Sequence, residues 1–437
     1  MTLEMKKNHP IRIAVALAAL FLLAITSYSQ DFETRVAADP GIACGVYHPY
    51  HHGDLTDTPA PKGYRPFYIS HFGRHGSRYH TTEKYFASAV EGLNAAAAAD
   101  GLTDQGRRLL EELTILVEEH EGMTGELSPL GGREHKAISQ RMYSRFPEVF
   151  NSASRKDVQC VASTIQRCLL SMANFSESLA SCSPSLDFTF FTGKRYFRYI
   201  MKECKYHSDI SDEVHAYTDS LRNAVCRYDK LFGTLFVSDE AAAKAVKDPQ
   251  KFAYSLYMAG AICPDLDFLG LDIFKYFDSE ELAAQMKVNS SRMYMQYGNS
   301  AECGERSITA ADDLLRDFVE KADAALGQGS TRAADLRFGH DTGILPLMGL
   351  IGIEGMSVRY DSDGSWEHWT TYDRIPMASN FQMIFYRSRK GDVLVKMLYN
   401  EQETVIPSLA PLQGPYYSWP DLRAYLVSKY NDIDKSK

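Results

Sequence analysis

Two stretches in which short strands run straight into helices bracket a long segment with helical periodicity and little strand signal. At the first end, Arg65 to Phe72 is an aromatic and β-branched run that stops at Gly73. Val158–Thr164 is a second such run, followed at once by a helix through Leu179. At the far end Ala333–Phe338 leads into another helix, and Phe381–Tyr386 and Val393–Leu398 return to strand patterning. Helical periodicity fills Glu83–Glu121 and Glu134–Phe150, with a break at Leu127-Ser128-Pro129-Leu130-Gly131, and dominates again from 185 to about 330. This order predicts an α/β core with a mainly parallel sheet, built from residues 30–184 and 331–437. A mostly helical insertion over 185–330 is expected to cap the carboxyl edge of that sheet.

The composition excludes several function classes. Of 437 residues, 45% are hydrophobic and 24% charged, which is ordinary for a globular protein and rules out disorder, collagen-like repeat and coiled coil. A net charge of −9 argues against a nucleic-acid partner, which needs a basic face. It leaves room for a small anionic substrate, because a few converging arginines create a local positive pocket.

The first residues read as a targeting segment. Lys6, Lys7 and Arg12 precede an uncharged run from Ile13 to Ile25, then the small-polar stretch Thr26–Gln30. That is the pattern of a signal peptide over 1–29, cut after Ser29, which implies a periplasmic or secreted protein. The alternative is an uncleaved anchor, for which the run is short. No later segment is long and apolar enough for stable membrane insertion. Export permits disulfides among Cys44, Cys160, Cys168, Cys182, Cys204, Cys226, Cys263 and Cys303, although sequence cannot choose among the pairings. Cys168, inside the apolar run to Ala173, reads equally as a buried free thiol.

Chemistry-bearing residues gather at three strand-to-helix junctions. The first is Arg74-His75-Gly76-Ser77-Arg78. One imidazole between two guanidiniums, with a glycine admitting close backbone approach, suits a phosphoryl group. The arginines can grip its oxygens bidentately while the imidazole attacks phosphorus in line. The second junction, Ser163-Thr164-Ile165-Gln166-Arg167, places another arginine at a helix start. The third, Phe338-Gly339-His340-Asp341-Thr342-Gly343, sets an imidazole and a carboxylate where a helix N-terminus favours anions. Taken alone, this last pair also reads as a helix cap.

Together the junctions resemble the histidine phosphatase superfamily, branch 2, the acid phosphatase and phytase branch. Among its members the chain looks most like bacterial multiple inositol polyphosphate phosphatases. Pro59–Tyr64, Arg167-Cys168 with Ser171, Ala173 and Phe175, and Pro376–Asn380 add to the likeness. The resemblance implies a phosphoglycerate-mutase-like three-layer core with a helical cap. It implies that His75 is the nucleophile and forms a phosphohistidine. Arg74, Arg78, Arg167 and His340 would hold the phosphate oxygens. Asp341 would protonate the leaving alcohol and then activate water. No metal or cofactor is expected, since the arginines supply the charge neutralisation. Two departures stand out. Branch members usually carry proline two residues after the second arginine, where this chain has His80. Inositol polyphosphate phosphatases usually place the acid two residues after the histidine, whereas here Asp341 follows His340 directly, as in acid phosphatases and many phytases.

Other groups carry weaker signals. His48, His51 and His52 resemble a metal cluster, but the surrounding proline, glycine and tyrosine read as an ordered loop. His71 is expected to support the site from the strand below. Lys194, Arg195 and Arg198 form a basic group that would either line the pocket or face solvent. The resulting expectation is an exported phosphomonoesterase acting on inositol polyphosphates such as phytate. A broad acid phosphatase on sugar phosphates or nucleotides and a non-catalytic phosphate-binding relative are the alternatives.

Overall fold

The structure is a computed structural model and describes residues 32–435. The expected signal segment, 1–29, lies outside the described residues. An eight-stranded sheet forms the centre, from β1 (Tyr64–Arg74), β2 (Asp157–Ala162), β3 (Asp187–Thr192), β4 (Arg332–Gly339), β5 (Asn380–Ser388), β6 (Val393–Tyr399), β7 (Gln402–Thr404) and β8 (Tyr416–Ser418). Its order is β3-β2-β4-β1-β5-β6-β7, with β8 beside β6. The half from β3 to β1 is parallel, and β5 opens an antiparallel continuation.

The longer helices are, in chain order, α1 (Lys84–Ala98), α2 (Asp104–His120), α3 (Pro129–Arg145), α4 (Gln166–Cys182), α5 (His207–Val225), α6 (Pro249–Ile262), α7 (Ser279–Tyr297), α8 (Asp312–Leu326), α9 (Asp341–Ile351) and α10 (Trp419–Lys435). Side chains alternate across a strand, so β1 sends Tyr68 and Phe72 to one face and Ile69 to the other. The first face packs on α8, α9 and α10 through Phe318, Leu345 and Leu422. The second packs on α3 and α4 through Ile138, Met172 and Phe175. Helix, sheet and helix make the expected three layers.

The boundaries differ from the sequence reading. The sheet continues past 185, because β3 pairs in parallel with β2 along its whole length. That strand escaped notice because it is a short edge whose Phe190 stays 53% exposed, leaving no burial-driven alternation. At the other end of the expected insertion, α8 packs on the sheet. Conversely α1 and α2, assigned to the core by position, pack through Phe86, Leu93, Leu109 and Leu113 against Leu231, Phe252 and Leu256. Periodicity shows that a helix has an apolar face but not which partner will cover it. Among the described residues no helix is long and apolar enough to cross a membrane.

The inner strand β4 carries buried charge. Arg337, 2% exposed, donates from Nε to Asp317 Oδ2 on α8 at 2.6 Å and from Nη1 to Ser70 Oγ at 3.0 Å. Its guanidinium lies 4.2 Å from the Phe318 ring centre. Removing one partner of a buried pair strands the other charge. Asp317→Ala is therefore expected to cost about 3 to 5 kcal/mol in urea unfolding, and an apolar replacement of both partners much less.

Candidate active site

Strand register brings the three junctions together. Arg74 pairs with Gly339, and Ala162 with Phe338, so β1, β4 and β2 end side by side. The next residues are His75, His340 and Ser163. The ladder runs one step further, with His75 N–H donating to Gly339 O at 2.9 Å and Ser163 N–H to Phe338 O at 3.2 Å.

His75 is buried, and its Nδ1 lies 2.9 Å from the Gly76 carbonyl. A carbonyl can only accept, so Nδ1 carries the proton and Nε2 keeps a lone pair. Burial, then Arg74, Arg167 and Arg78, hold the imidazole well below its usual pKa. It is therefore neutral into the acid range.

The loop after His75 is tied down along its backbone. Gly76 N–H donates to Ser171 Oγ on α4 at 3.1 Å. Ser77 donates from its N–H and its hydroxyl to the two oxygens of Glu134 on α3, at 2.7 and 2.9 Å. Arg78 N–H donates to Asp265 Oδ2 at 3.2 Å. The glycine is required by contact, since a Cβ at 76 would sit 2.6 Å from Gly131 Cα. The reverse holds too, a Cβ at 131 meeting Ser77 O at 2.2 Å. Gly131 stands in the first turn of α3, which Pro129 opens and Ser128 caps. His80, at the position where proline was expected, donates its N–H to His120 Nε2 at 3.4 Å, a bond that proline lacks the hydrogen to make.

Three guanidiniums surround the imidazole differently. Arg74 is fully buried, with Nη1 donating to the carbonyls of Val46 and Ile375 at 2.8 Å each. Its Nη2 stands 3.0 Å from Asp341 Oδ2, an ion pair without hydrogen-bond alignment, and its Nε has no partner. Arg78 donates to Tyr79 O at 2.8 Å, and its guanidinium lies 5.2 Å from the Tyr47 ring centre. Arg167, at the second position of α4, donates to Gly125 O at 3.2 Å and leaves Nε unpartnered.

The third junction closes the ring. His340 stands at the N-cap of α9 with Nε2 3.2 Å from Ser163 Oγ, and its ring centre is 5.5 Å from that of His75. Burial and then Arg167 lower its pKa to about 4. Asp341 opens α9 and accepts from Thr342 N–H at 2.8 Å. Burial pushes its carboxyl up, but Arg74, His340 and Arg78 outweigh this and hold it below the usual carboxylate range.

His75, Arg78, Arg167, His340 and Asp341 line one cavity of about 260 Å³. Arg74 lies behind it, joined through Asp341. The same cavity is also lined by residues the sequence reading did not single out, among them Lys202, Glu203, His207 and Gln296. Lys202 pairs with Asp312 and, at 2.9 Å, with Asp313. None belongs to a motif, and only the folded chain reveals them. Ser163, Glu134 and Asp265 were likewise missed as supports of the site.

Several other candidates fall elsewhere. His71 packs between Phe175 and Phe338 beneath the site, at ring distances of 5.2 and 5.5 Å. Lys194, Arg195 and Arg198 are not on the cavity wall, and Arg195 and Arg198 lie over the rings of Tyr196 and Tyr199. His48 and His51 pack on Tyr372 at 4.6 Å each. Among the described residues no group of three or more His, Cys, Asp or Glu is placed to hold a metal ion. All eight cysteines are free thiols. Cys168 Sγ lies 3.5 Å from His340 Nε2, and burial raises its pKa to about 11.

Comparison with known proteins follows the same lines. The family model described as the histidine phosphatase superfamily (branch 2) matches residues 73–400. No curated protein sequence matches the chain. Among solved structures, the multiple inositol polyphosphate phosphatase of Bifidobacterium longum, in complex with inositol hexasulfate, is similar with a TM-score of 0.72. Identity there is 19%, over 89% of this chain and 98% of that one. A phytase from D. castellii gives a TM-score of 0.65 at 15% identity, over 89% and 85% of the two chains. The Hafnia alvei phytase in complex with tartrate gives 0.55 at 11%, over 85% and 98%. At such identities these likenesses speak for the fold, whereas the family match spans both junctions that carry His75 and His340. The chain belongs to branch 2 of the histidine phosphatase superfamily.

Proposed function

We propose that this phosphatase hydrolyses inositol polyphosphates such as phytate through a phosphohistidine at His75. The observation that carries the reading is the neutral His75, its Nδ1 proton held by Gly76 and its Nε2 lone pair left for attack, beside a cavity walled by Arg78, Arg167, His340 and Asp341. The names of the structurally similar proteins, one an inositol polyphosphate phosphatase and the others phytases, support the substrate class.

The steps follow from charge. Arg78, Arg167 and His340 hold the phosphate oxygens from the cavity wall, Arg74 adds its charge from beside Asp341, and Nε2 attacks phosphorus as the P–O bond to the leaving alcohol breaks. In the free enzyme Asp341 is ionised against Arg74. A phosphate dianion arriving beside Arg74 and Arg78 offsets their pull, so the carboxyl takes up a proton. That proton passes to the departing alkoxide. The resulting carboxylate then removes a proton from water, whose oxygen attacks the phosphohistidine and returns Nε2 its electron pair. The basic and apolar stretch before Ser29 supports export, so the reaction would run in the periplasm or outside the cell.

His75→Ala is expected to abolish phosphate release from phytate while circular dichroism stays unchanged. Orthovanadate should inhibit the wild type, and EDTA should not. A strong loss in EDTA restored by zinc or magnesium would replace this mechanism with a metal-assisted one.

Asp341→Asn separates the two halves of the reaction. Phytate and glucose 1-phosphate have poor leaving groups and should slow by about 10² to 10⁴, the usual worth of general acid–base help. 4-Nitrophenyl phosphate should lose less in the first step, and phosphohistidine should accumulate and be trapped on acid-free denaturing gels. Equal small losses without a trapped intermediate would leave Asp341 as a helix cap alone.

A further inference from the structure

A second cavity, of about 230 Å³, lies beside Arg78, whose guanidinium is 5.2 Å from the ring centre of Tyr47. Tyr47, whose ring Arg78 covers, belongs to its wall, together with Tyr85, Tyr254, Tyr257, Asn289 and Arg292. No carboxylate lines it. Its polar groups are a guanidinium, an amide, the Cys44 thiol and phenols; the Tyr257 hydroxyl already donates to Ala43 O at 2.6 Å, and the guanidinium and amide are donors suited to an anion. Burial pushes the Tyr254 phenol up to about 12, so that hydroxyl is a neutral donor.

Arg292 is the unusual member. It is half-buried, yet makes no hydrogen bond or ion pair with any described residue. Its five donors are thus left for solvent or for a ligand in the cavity. The position on α7 adds direction. Asn289, Arg292 and Gln296 follow each other at spacings of three and four, which places them in one stripe on the helix. Asn289 and Arg292 face the second cavity, and Gln296 lines the first. From Arg292 to Gln296 the helix advances about 6 Å, so the stripe joins the two cavities within about one turn. Arg292 also acts electrostatically on Tyr297, a wall residue of the reaction cavity.

We propose that Arg292, with Asn289 and the neighbouring phenols, binds a second phosphate of a polyphosphorylated substrate while the scissile phosphate sits at His75. The proposal rests on the phosphohistidine reading above and deepens it. Arg292 sets specificity and takes no part in bond making, and a monophosphate gains nothing from it. Free inorganic phosphate has the same chemistry and is the competing occupant.

The experiment compares wild type with Arg292→Gln on phytate and on 4-nitrophenyl phosphate. KM for phytate should rise about tenfold or more, the usual worth of a charge-assisted hydrogen bond. The kcat/KM for 4-nitrophenyl phosphate should stay within about twofold, and Arg292→Lys should recover part of the phytate affinity by restoring charge without the fork. Equal losses on both substrates, or none on either, would overturn the proposal. So would noncompetitive inhibition of 4-nitrophenyl phosphate hydrolysis by inorganic phosphate that Arg292→Gln removes while phytate kinetics stay unchanged, since that assigns the cavity to free phosphate. Titrating inositol hexakisphosphate into His75→Ala and His75→Ala/Arg292→Gln separates this proposal from the reaction mechanism. About tenfold weaker binding in the double variant upholds the second site even where turnover data refute the phosphohistidine, and equal binding refutes the site even where turnover upholds it.

Discussion

Parallel pairing of β1 with β4, and of β4 with β2, in register to their last residues, is the constraint from which the site follows. Parallel strands in one sheet all end at the same edge, so whatever sequence follows each strand is delivered to one place. Here those sequences begin with His75, His340 and Ser163, and the backbone bonds of His75 to Gly339 and of Ser163 to Phe338 carry the alignment past the strand ends. Helices then start almost at once. Arg167 and Asp341 enter as second and first residues of α4 and α9, where orphan N–H groups and the helix dipole favour negative charge. A slip of one residue between β1 and β4 would invert every side chain of the strand and remove His75 from the cavity.

Around this edge, the geometry of the loop is fixed by groups that never face substrate. Glu134 and Asp265 are both buried, and burial raises both carboxyls. They accept the N–H groups of two consecutive residues, Ser77 and Arg78: one stands on α3 beside the sheet, the other in the turn of helix directly after α6. The loop thus joins two packing units. Gly76 against Gly131 leaves no room for adjustment, so the backbone that carries His75 is set by contact, and the Nδ1 contact with Gly76 O orients its ring.

Much of this was legible in the sequence, for physical reasons that also mark where legibility ended. Strand runs followed by helices identify an α/β core because period and β-propensity are local properties. The Arg74–Arg78 motif announces itself because three special residue types rarely fall at that spacing in a loop. What escaped depends on contacts distant in sequence. The edge strand β3 lacks an alternating buried face, and α1 and α2 show an apolar stripe that does not say it will meet Phe252 and Leu256. Lys202, Glu203 and Gln296 look like ordinary surface residues until the chain folds them into the cavity that His75 lines. The basic trio Lys194, Arg195 and Arg198 marks the converse limit, since clustered charge in sequence leaves open whether it lines a site or faces solvent, and here it is off the cavity wall.

The ion pair between Arg74 and Asp341 has a consequence beyond positioning. An anion that settles among the arginines competes with Asp341 for the same positive field, so its arrival raises the proton affinity of the carboxyl. Coupling of this kind is reciprocal: whatever the anion does to the proton, the proton must do equally to the anion. On the proposed reading, a phosphate dianion would therefore bind with proton uptake at Asp341. The pocket would then act as a proton-linked receptor for the dianion, the carboxyl recording in its protonation whether the arginines are occupied.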